Sequence, residues 1–100
     1  MIRKPKLEVC FTPNLFPLYA EDFEVVVVID VLRATSAICT AFHYGVEKII
    51  PVSTLQEAKE YKNKGFYVAA ERKGKVVDGF DYGNSPLSYR NDKLMGETLV

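Results

Sequence analysis

EVVVVIDVLRATS, residues 24–36, is the segment from which a fold class can be inferred. The continuous run of aliphatic residues over Val25–Ile29 is typical of a parallel strand that is covered on both faces. The strand ends on a carboxylate, Asp30, and apolar residues three and four apart then predict a helix from Arg33 to Tyr44. Gly45 suits the left-handed position that commonly ends such a helix.

Three further strands are predicted around this segment. Alternating apolar residues over Leu7–Phe11 indicate an earlier strand with one covered face. Val46–Val52 and Phe66–Ala70 indicate two later strands. Strands that alternate with helices and short joins predict an α/β fold: a mainly parallel sheet with helices on both faces, in a three-layer α/β/α arrangement.

The second helix has its own start and stop signals. Thr54 and Glu57 have the spacing of a capping box, which predicts a helix over Leu55–Asn63 with Gly65 as its stop. Glycines and prolines then predict turns or a hairpin over Lys73–Asn91. Because Glu97–Val100 looks like the opening of another strand, we expect residues 1–100 to be the N-terminal portion of a single longer domain.

Composition excludes several classes of partner. The chain has 100 residues, 48% of them hydrophobic, with 13 basic and 13 acidic side chains, which is typical of one folded domain without a nucleic-acid surface. Its apolar runs are too short to span a bilayer, so we expect no membrane partner and a cytoplasmic location. Cys10 and Cys39 have no metal-like spacing and are predicted to be buried or half-buried thiols.

The strand end at Asp30 is the first candidate site. A carboxylate after buried aliphatic residues needs a partner, either the N-terminus of the next helix, which it would cap, or a divalent cation such as magnesium. Arg33 favours an anion here, because a cation in the first helical turn opposes the helix dipole. With the hydroxyls of Thr35 and Ser36 it would cradle a phosphate or sulfonate; the alternative is a solvated surface arginine.

Two other segments carry similar chemistry. Glu71 and Arg72 join a carboxylate to a guanidinium at the end of another strand, and the alternative is an exposed ion pair. Asp81 lies in the glycine-containing segment 79–86, whose alternative is a plain turn. Ligands of open α/β sheets bind beyond the carboxyl ends of the strands, and the side chains predicted there are Asp30, Ser53, Glu71 and Arg72.

Other hydrolase and nucleotide-binding motifs are missing. His43, the single histidine, is predicted near the end of its helix, where a Ser-His-Asp or Cys-His relay would not form. The sequence has no Walker loop and no GxGxxG turn. Leu32 stands where an Asp-x-Asp phosphatase would have its second aspartate.

Three segments together, residues 28–36, 70–72 and 79–86, resemble the 2-phosphosulfolactate phosphatase family in order and spacing. The resemblance implies an α/β enzyme that uses magnesium to hydrolyse the phosphate ester of a small hydroxy acid, converting 2-phosphosulfolactate to sulfolactate and phosphate in coenzyme M biosynthesis. It covers only the front part of the family's domain. The family's following loop, with its threonine and asparagine, has no counterpart in these 100 residues. If that loop helps to hold phosphate, this portion alone would be inactive.

The candidate residues fall into three roles. The predicted catalytic residues are Asp30, Arg33 and Glu71; the substrate-binding residues are Arg33, Thr35, Ser36, Arg72, Asn84 and Ser85; the magnesium ligands are Asp30, Glu71 and Asp81.

Two points stay open at this stage. Asp30 would either ligate the metal or attack phosphorus to form an aspartyl-phosphate. The other functions considered are a non-catalytic domain that binds or senses small anions, and a structural subunit that forms a homo-oligomer through an unpaired sheet edge.

Overall fold

The computed structural model describes residues 3–100. It contains two α-helices, α1 (Ala34–His43) and α2 (Leu55–Asn63), and two 3₁₀ helices, Pro13–Leu18 and Pro86–Tyr89. Its four short strands are β1 (Lys48–Ile49), β2 (Glu71–Arg72), β3 (Lys75–Val76) and β4 (Thr98–Leu99).

Helix α2 has the predicted bounds, because local groups define its start. The N–H of Glu57 donates to the Thr54 hydroxyl over 3.2 Å, so Thr54 caps the helix as expected. The Glu57 carboxylate accepts in return from the N–H of Ser53, at 3.0 Å, one residue earlier than in the standard capping box. Gly65, with φ of 94°, follows the helix as predicted.

Strand β4 is the middle of the parallel array. It pairs in parallel with β1, and Leu99 also forms a parallel bridge to Tyr67 on its other side. Backbone hydrogen bonds continue this array outward, from the N–H of Ala70 to the carbonyl of Tyr82, at 3.1 Å. Parallel pairing with helices between the strands is compatible with an α/β fold.

Strands β2 and β3 form an antiparallel hairpin within the segment where turns were predicted. Its two-residue turn is Lys73-Gly74, with φ of 54° and 74°. Positive φ at both central positions is the geometry of a type I′ turn, which matches the right-handed twist of the flanking strands. The hairpin places Glu71 and Arg72 directly after the parallel segment 67–70.

The core lies between α1, the 3₁₀ helix Pro86–Tyr89 and β4. Ala37 and Ala41 of α1 are buried there, as the apolar stripe predicts, whereas Ile38 and Phe42 are 39% and 48% exposed. The buried face of α1 is therefore narrower than the apolar stripe that the sequence predicts. The buried members of the cluster are Ala37, Ala41, Val46, Tyr89, Leu94 and Leu99.

The predicted strands over Leu7–Phe11 and Glu24–Asp30 are wrong. Neither segment pairs with another part of residues 3–100, and the side chains of Val25–Ile29 are between 55% and 78% exposed. The reason is that a strand is stabilised by a neighbour in the sheet, and no described segment provides one beside these residues.

The prediction that both thiols are buried or half-buried is also wrong, because Cys10 and Cys39 are both exposed. Cys10 lies in the N-terminal segment that pairs with no other segment of residues 3–100. Cys39 is two residues from each of the buried alanines Ala37 and Ala41, so it lies on the opposite side of α1 from the core. None of the helices within residues 3–100 combines the length and the apolar character that a membrane crossing requires.

Candidate active site

A cleft of about 190 Å³ lies at the carboxyl ends of β1 and of the parallel segment 67–70. The N-terminus of α2 forms one wall, through Ser53 and Thr54. The other wall carries Glu71, Arg72 and Asn84. Three residues predicted for the site thus share one cleft, at the edge where ligands of parallel sheets bind.

The Glu71 carboxylate is the centre of the polar contacts. Its Oε2 accepts from the Arg33 guanidinium over 2.8 Å and from the backbone N–H of Asn84 over 3.1 Å. The Glu71 side chain is 14% exposed and that of Arg33 is 43% exposed. The pair joins the start of α1 to the cleft, although its two residues are far apart in sequence.

Gly83 makes room for this arrangement. A Cβ atom at position 83 would lie 2.8 Å from Cγ2 of Val76 and 3.2 Å from Oε2 of Glu71. The glycine therefore lets the 79–86 loop approach the β2–β3 hairpin closely. Such close approach is one of the ordinary uses of glycine.

Asp30 does not cap α1. The helix begins at Ala34 with Arg33 at its N-cap position, and the Arg33 side chain makes no capping hydrogen bond. The carbonyl oxygen of Asp30 accepts from the N–H of Thr35 at 3.0 Å, which closes the turn before the helix. The Asp30 side chain is exposed, so the capping interpretation of Asp30 is excluded within the described residues.

The hydroxyl groups predicted to bind phosphate differ in their contacts. The Ser36 hydroxyl donates its one hydrogen to the carbonyl of Val31. It would have to break this bond before it could donate to a ligand. Thr35 is half-buried in the first turn of α1, and Ser85 is half-buried just before the 3₁₀ helix Pro86–Tyr89.

Asp81 is held elsewhere by contacts within the protein. Its Oδ2 accepts from the N–H of Val68 at 2.9 Å, and its carboxylate pairs with Nζ of Lys62 at 3.2 Å. Asp81 is not among the residues that line the cleft. In this structure its carboxylate therefore fixes the 79–86 loop to the parallel segment and to the end of α2.

The fit of a magnesium ion can be judged from the donors. Across residues 3–100, no three His, Cys, Asp or Glu side chains come close enough together to hold a metal ion. Magnesium needs only one or two carboxylates, since water and substrate phosphate supply its other ligands. Glu71 and Asp30 therefore fit by chemical type. Arg33 and the Asn84 N–H both use Oε2 of Glu71, which leaves Oε1 without a hydrogen bond to residues 3–100, whereas both oxygens of Asp81 are engaged outside the cleft.

Two tyrosines stack beside the Gly83–Asn84 peptide. The rings of Tyr82 and Tyr89 are 5.0 Å apart, and the Tyr89 hydroxyl donates to the carbonyl of Gly83 over 2.6 Å. Burial, with smaller effects from Tyr82 and Glu71, raises the pKa of Tyr89 to about 12. Burial is also the main cause that raises the pKa of Tyr82. The Tyr89 hydroxyl thus stays protonated, and able to donate, at neutral pH.

The sequence predicted no catalytic or binding role for several of these residues. Ser53 and Thr54 line the cleft, and their signal was the capping box that predicted the start of α2 at a strand end. The contacts of Lys62 and Tyr89 have no such local signal, because their partners lie elsewhere in the sequence.

Comparison with known proteins relates this chain to one protein family. The family model described as 2-phosphosulpholactate phosphatase matches residues 10–100. A protein of Thermotoga maritima named probable 2-phosphosulfolactate phosphatase is 51% identical over 74 residues, which are 74% of this chain and 33% of that protein. Its namesake in Carboxydothermus hydrogenoformans is 48% identical over 97 residues, covering 95% of this chain and 39% of the relative. The chain thus spans between a third and two fifths of the length of these relatives.

Proposed function

Because the chain belongs to the 2-phosphosulfolactate phosphatase family, we propose that the full-length protein hydrolyses the phosphate ester of a small hydroxy acid. The proposed substrate is 2-phosphosulfolactate, and the products are sulfolactate and phosphate. The observation that carries the proposal is the contact between Arg33 and Glu71 at 2.8 Å, beside the cleft at the carboxyl edge of the sheet.

The positive groups of the site suit a substrate with two anionic ends. Arg33 lies at the N-terminus of α1, where free N–H groups and the helix dipole favour a phosphate. Arg72 lines the cleft beside Asn84 and is proposed to bind the carboxylate or sulfonate, with Ser85 nearby in sequence. Catalysis would then come mainly from positioning and from charge stabilisation at the phosphoryl oxygens.

The proposed cofactor is magnesium, with Glu71 and Asp30 as its protein ligands. Bound there, the ion would neutralise the charge of the phosphate oxygens. Asp81, the third predicted ligand, would first have to leave Lys62 and the Val68 N–H. The role of Arg33 does not depend on the ion, because its guanidinium binds phosphate oxygens directly.

The wider setting is also a proposal. We place residues 1–100 in the N-terminal portion of one α/β phosphatase domain, whose complete sheet would have helices on both faces. We propose that the enzyme acts in the cytoplasm, in coenzyme M biosynthesis or a related pathway.

A phosphate-release screen tests the function. Full-length protein is incubated with 2-phosphosulfolactate and other small phosphorylated hydroxy acids, with magnesium and with a chelator. We expect release that depends on the substrate's second anionic group and on magnesium. Tight binding in calorimetry without phosphate release over hours would instead favour a non-catalytic anion-binding domain.

The role of Asp30 is tested by Asp30→Asn in the full-length protein. We expect this variant to lose turnover while keeping its fold by circular dichroism, because the amide supplies neither a nucleophile nor a charged metal ligand. Asp92→Asn, which alters an exposed carboxylate outside the cleft, is the matched control. Near-normal hydrolysis by Asp30→Asn would remove Asp30 from the site.

A further inference from the structure

The hydroxyl of Tyr89 and the carboxylate of Glu71 contact opposite ends of one peptide group. Tyr89 donates to the carbonyl oxygen of Gly83 over 2.6 Å. The N–H of the same peptide, which belongs to Asn84, donates to Oε2 of Glu71 over 3.1 Å. Because a peptide group is planar, fixing its carbonyl also fixes the direction in which its N–H points.

The contacts continue to the guanidinium that is proposed to bind phosphate. The oxygen of Glu71 that accepts from Asn84 also accepts from Arg33, over 2.8 Å. A single oxygen thus joins the 79–86 loop to the start of α1. The orientation of Glu71, and through it that of Arg33, depends on where the Gly83–Asn84 peptide points.

Tyr89 is well placed to fix that peptide. Only 4% of the residue is exposed, and its ring packs in the core with Ala37 and Ala41 of α1 and with Leu99 of β4. Its other neighbour is the stacked ring of Tyr82, 5.0 Å away. A hydroxyl on a ring held by helix and sheet has little freedom to move, so the acceptor it holds is fixed as well.

We propose that Tyr89 is a positioning residue of this site, whose hydroxyl orients the Gly83–Asn84 peptide so that its N–H holds Glu71 against Arg33. The hydrogen bond to the carbonyl also polarises the peptide, which strengthens the bond that its N–H donates. The kinetic consequence rests on the proposed phosphatase function. The structural relay stands on the geometry alone.

Amide hydrogen exchange in the full-length protein tests the relay. Tyr89→Phe removes the hydroxyl and keeps the ring, so we expect exchange of the Asn84 amide to rise about tenfold. Amides of α2 are the reference for any loss of global stability. Tyr82→Phe is the matched control, because the Tyr82 hydroxyl makes no hydrogen bond to residues 3–100.

Two results would overturn the relay. One is unchanged exchange at Asn84 in Tyr89→Phe, once the reference amides are taken into account. The other is an equal rise in Tyr82→Phe. If Tyr89→Phe does not fold, Glu71→Gln tests the same path from its other end: we expect the ¹³Cζ resonance of Tyr89 to shift and that of Tyr82 to stay, and a stationary Tyr89 resonance would refute the proposal.

Turnover gives the second measurement. We expect Tyr89→Phe to lower kcat about tenfold with KM changed less than about twofold. The charge attraction of Arg33 and Arg72 for the substrate survives a small loss of orientation, whereas transition-state stabilisation depends on the exact geometry of Arg33. Tyr82→Phe is expected to match the wild type. If the wild-type protein releases no phosphate, the proposed function fails, while exchange at Asn84 still decides the positioning role. Normal kcat in Tyr89→Phe would contradict the kinetic part.

Discussion

The Arg33–Glu71 ion pair makes a quantitative prediction about stability. The perturbation is Arg33→Met, which keeps an unbranched side chain and removes the charge, combined with Glu71→Gln in a double-mutant cycle. The cycle isolates the energy of the pair from the other contacts of each residue. Both variants are made in the full-length protein.

The expected magnitude follows from distance and burial. Fully exposed pairs contribute about 0.2–1 kcal/mol, and breaking a fully buried pair costs about 3–5 kcal/mol. At 2.8 Å the contact is close, and Glu71 is only 14% exposed, but the 43% exposure of Arg33 allows solvent to screen the pair. We therefore expect a coupling energy of about 1 kcal/mol.

Urea denaturation followed by circular dichroism gives the four free energies of unfolding. The measurement is repeated at high salt, which should weaken the coupling because Arg33 is partly solvated. Arg33→Met alone should lower the free energy of unfolding by more than the coupling energy. The reason is that the half-buried Glu71 carboxylate then keeps only one donor, the N–H of Asn84. A coupling near zero at low salt would show that the contact does not stabilise the protein, and Glu71 would then not be held by Arg33 in solution.

Three further predictions concern the surroundings of the site. Gly83→Ala is expected to destabilise the protein by about 1–3 kcal/mol in urea, because its Cβ would overlap Val76. Gly83 does not have a positive φ, so this cost comes from the overlap; Gly65→Ala, at φ of 94° with no atom within 4 Å, reports the different cost of backbone strain. Asp81→Asn should cost about 1–2 kcal/mol by weakening the bond from the Val68 N–H; no loss would return Asp81 to the candidate ligands. Burial raises the pKa of Tyr89 from 10.0 to about 12, so the folded state holds this proton more tightly than the unfolded chain. Its contribution to stability is complete below pH 10 and should be lost as the pH rises through about 12, and Tyr89→Phe should flatten this dependence of the urea midpoint.

Local signals predicted local structure well. The bounds of α2 follow from Thr54, Glu57 and Gly65, each of which acts on its own neighbours in the chain. The hairpin turn at Lys73-Gly74 is similar, because glycine adopts the positive φ of such a turn at no steric cost, whatever surrounds it. For these elements the sequence contains the physical cause.

Features that depend on distant partners were predicted less well. The aliphatic run Val25–Ile29 has every local property of a strand, but a strand is defined by its neighbour, and the described residues place none beside it. The same holds for Asp81, whose position in a glycine-containing turn suggested a ligand. Its contacts come from Lys62 and Val68, which no local pattern connects with it.

The candidate site lies between these two cases. That Glu71 and Arg72 would lie at the carboxyl edge follows from the rule for parallel sheets, and both line the cleft, together with Asn84 of the 79–86 loop. The hydrogen bond between Arg33 and Glu71 was not predicted. Charged residues near the ends of two strands do not indicate which of their side chains will contact each other.

The central place of β4 has a consequence for how the protein is made. The segments on its two sides, β1 and Tyr67, precede it in the chain, so they leave the ribosome before the strand that joins them. Until β4 is inserted, each presents unpaired backbone groups to the cell. The sheet must therefore close late and over a long loop, a slow step during which the nascent chain is open to association with other chains.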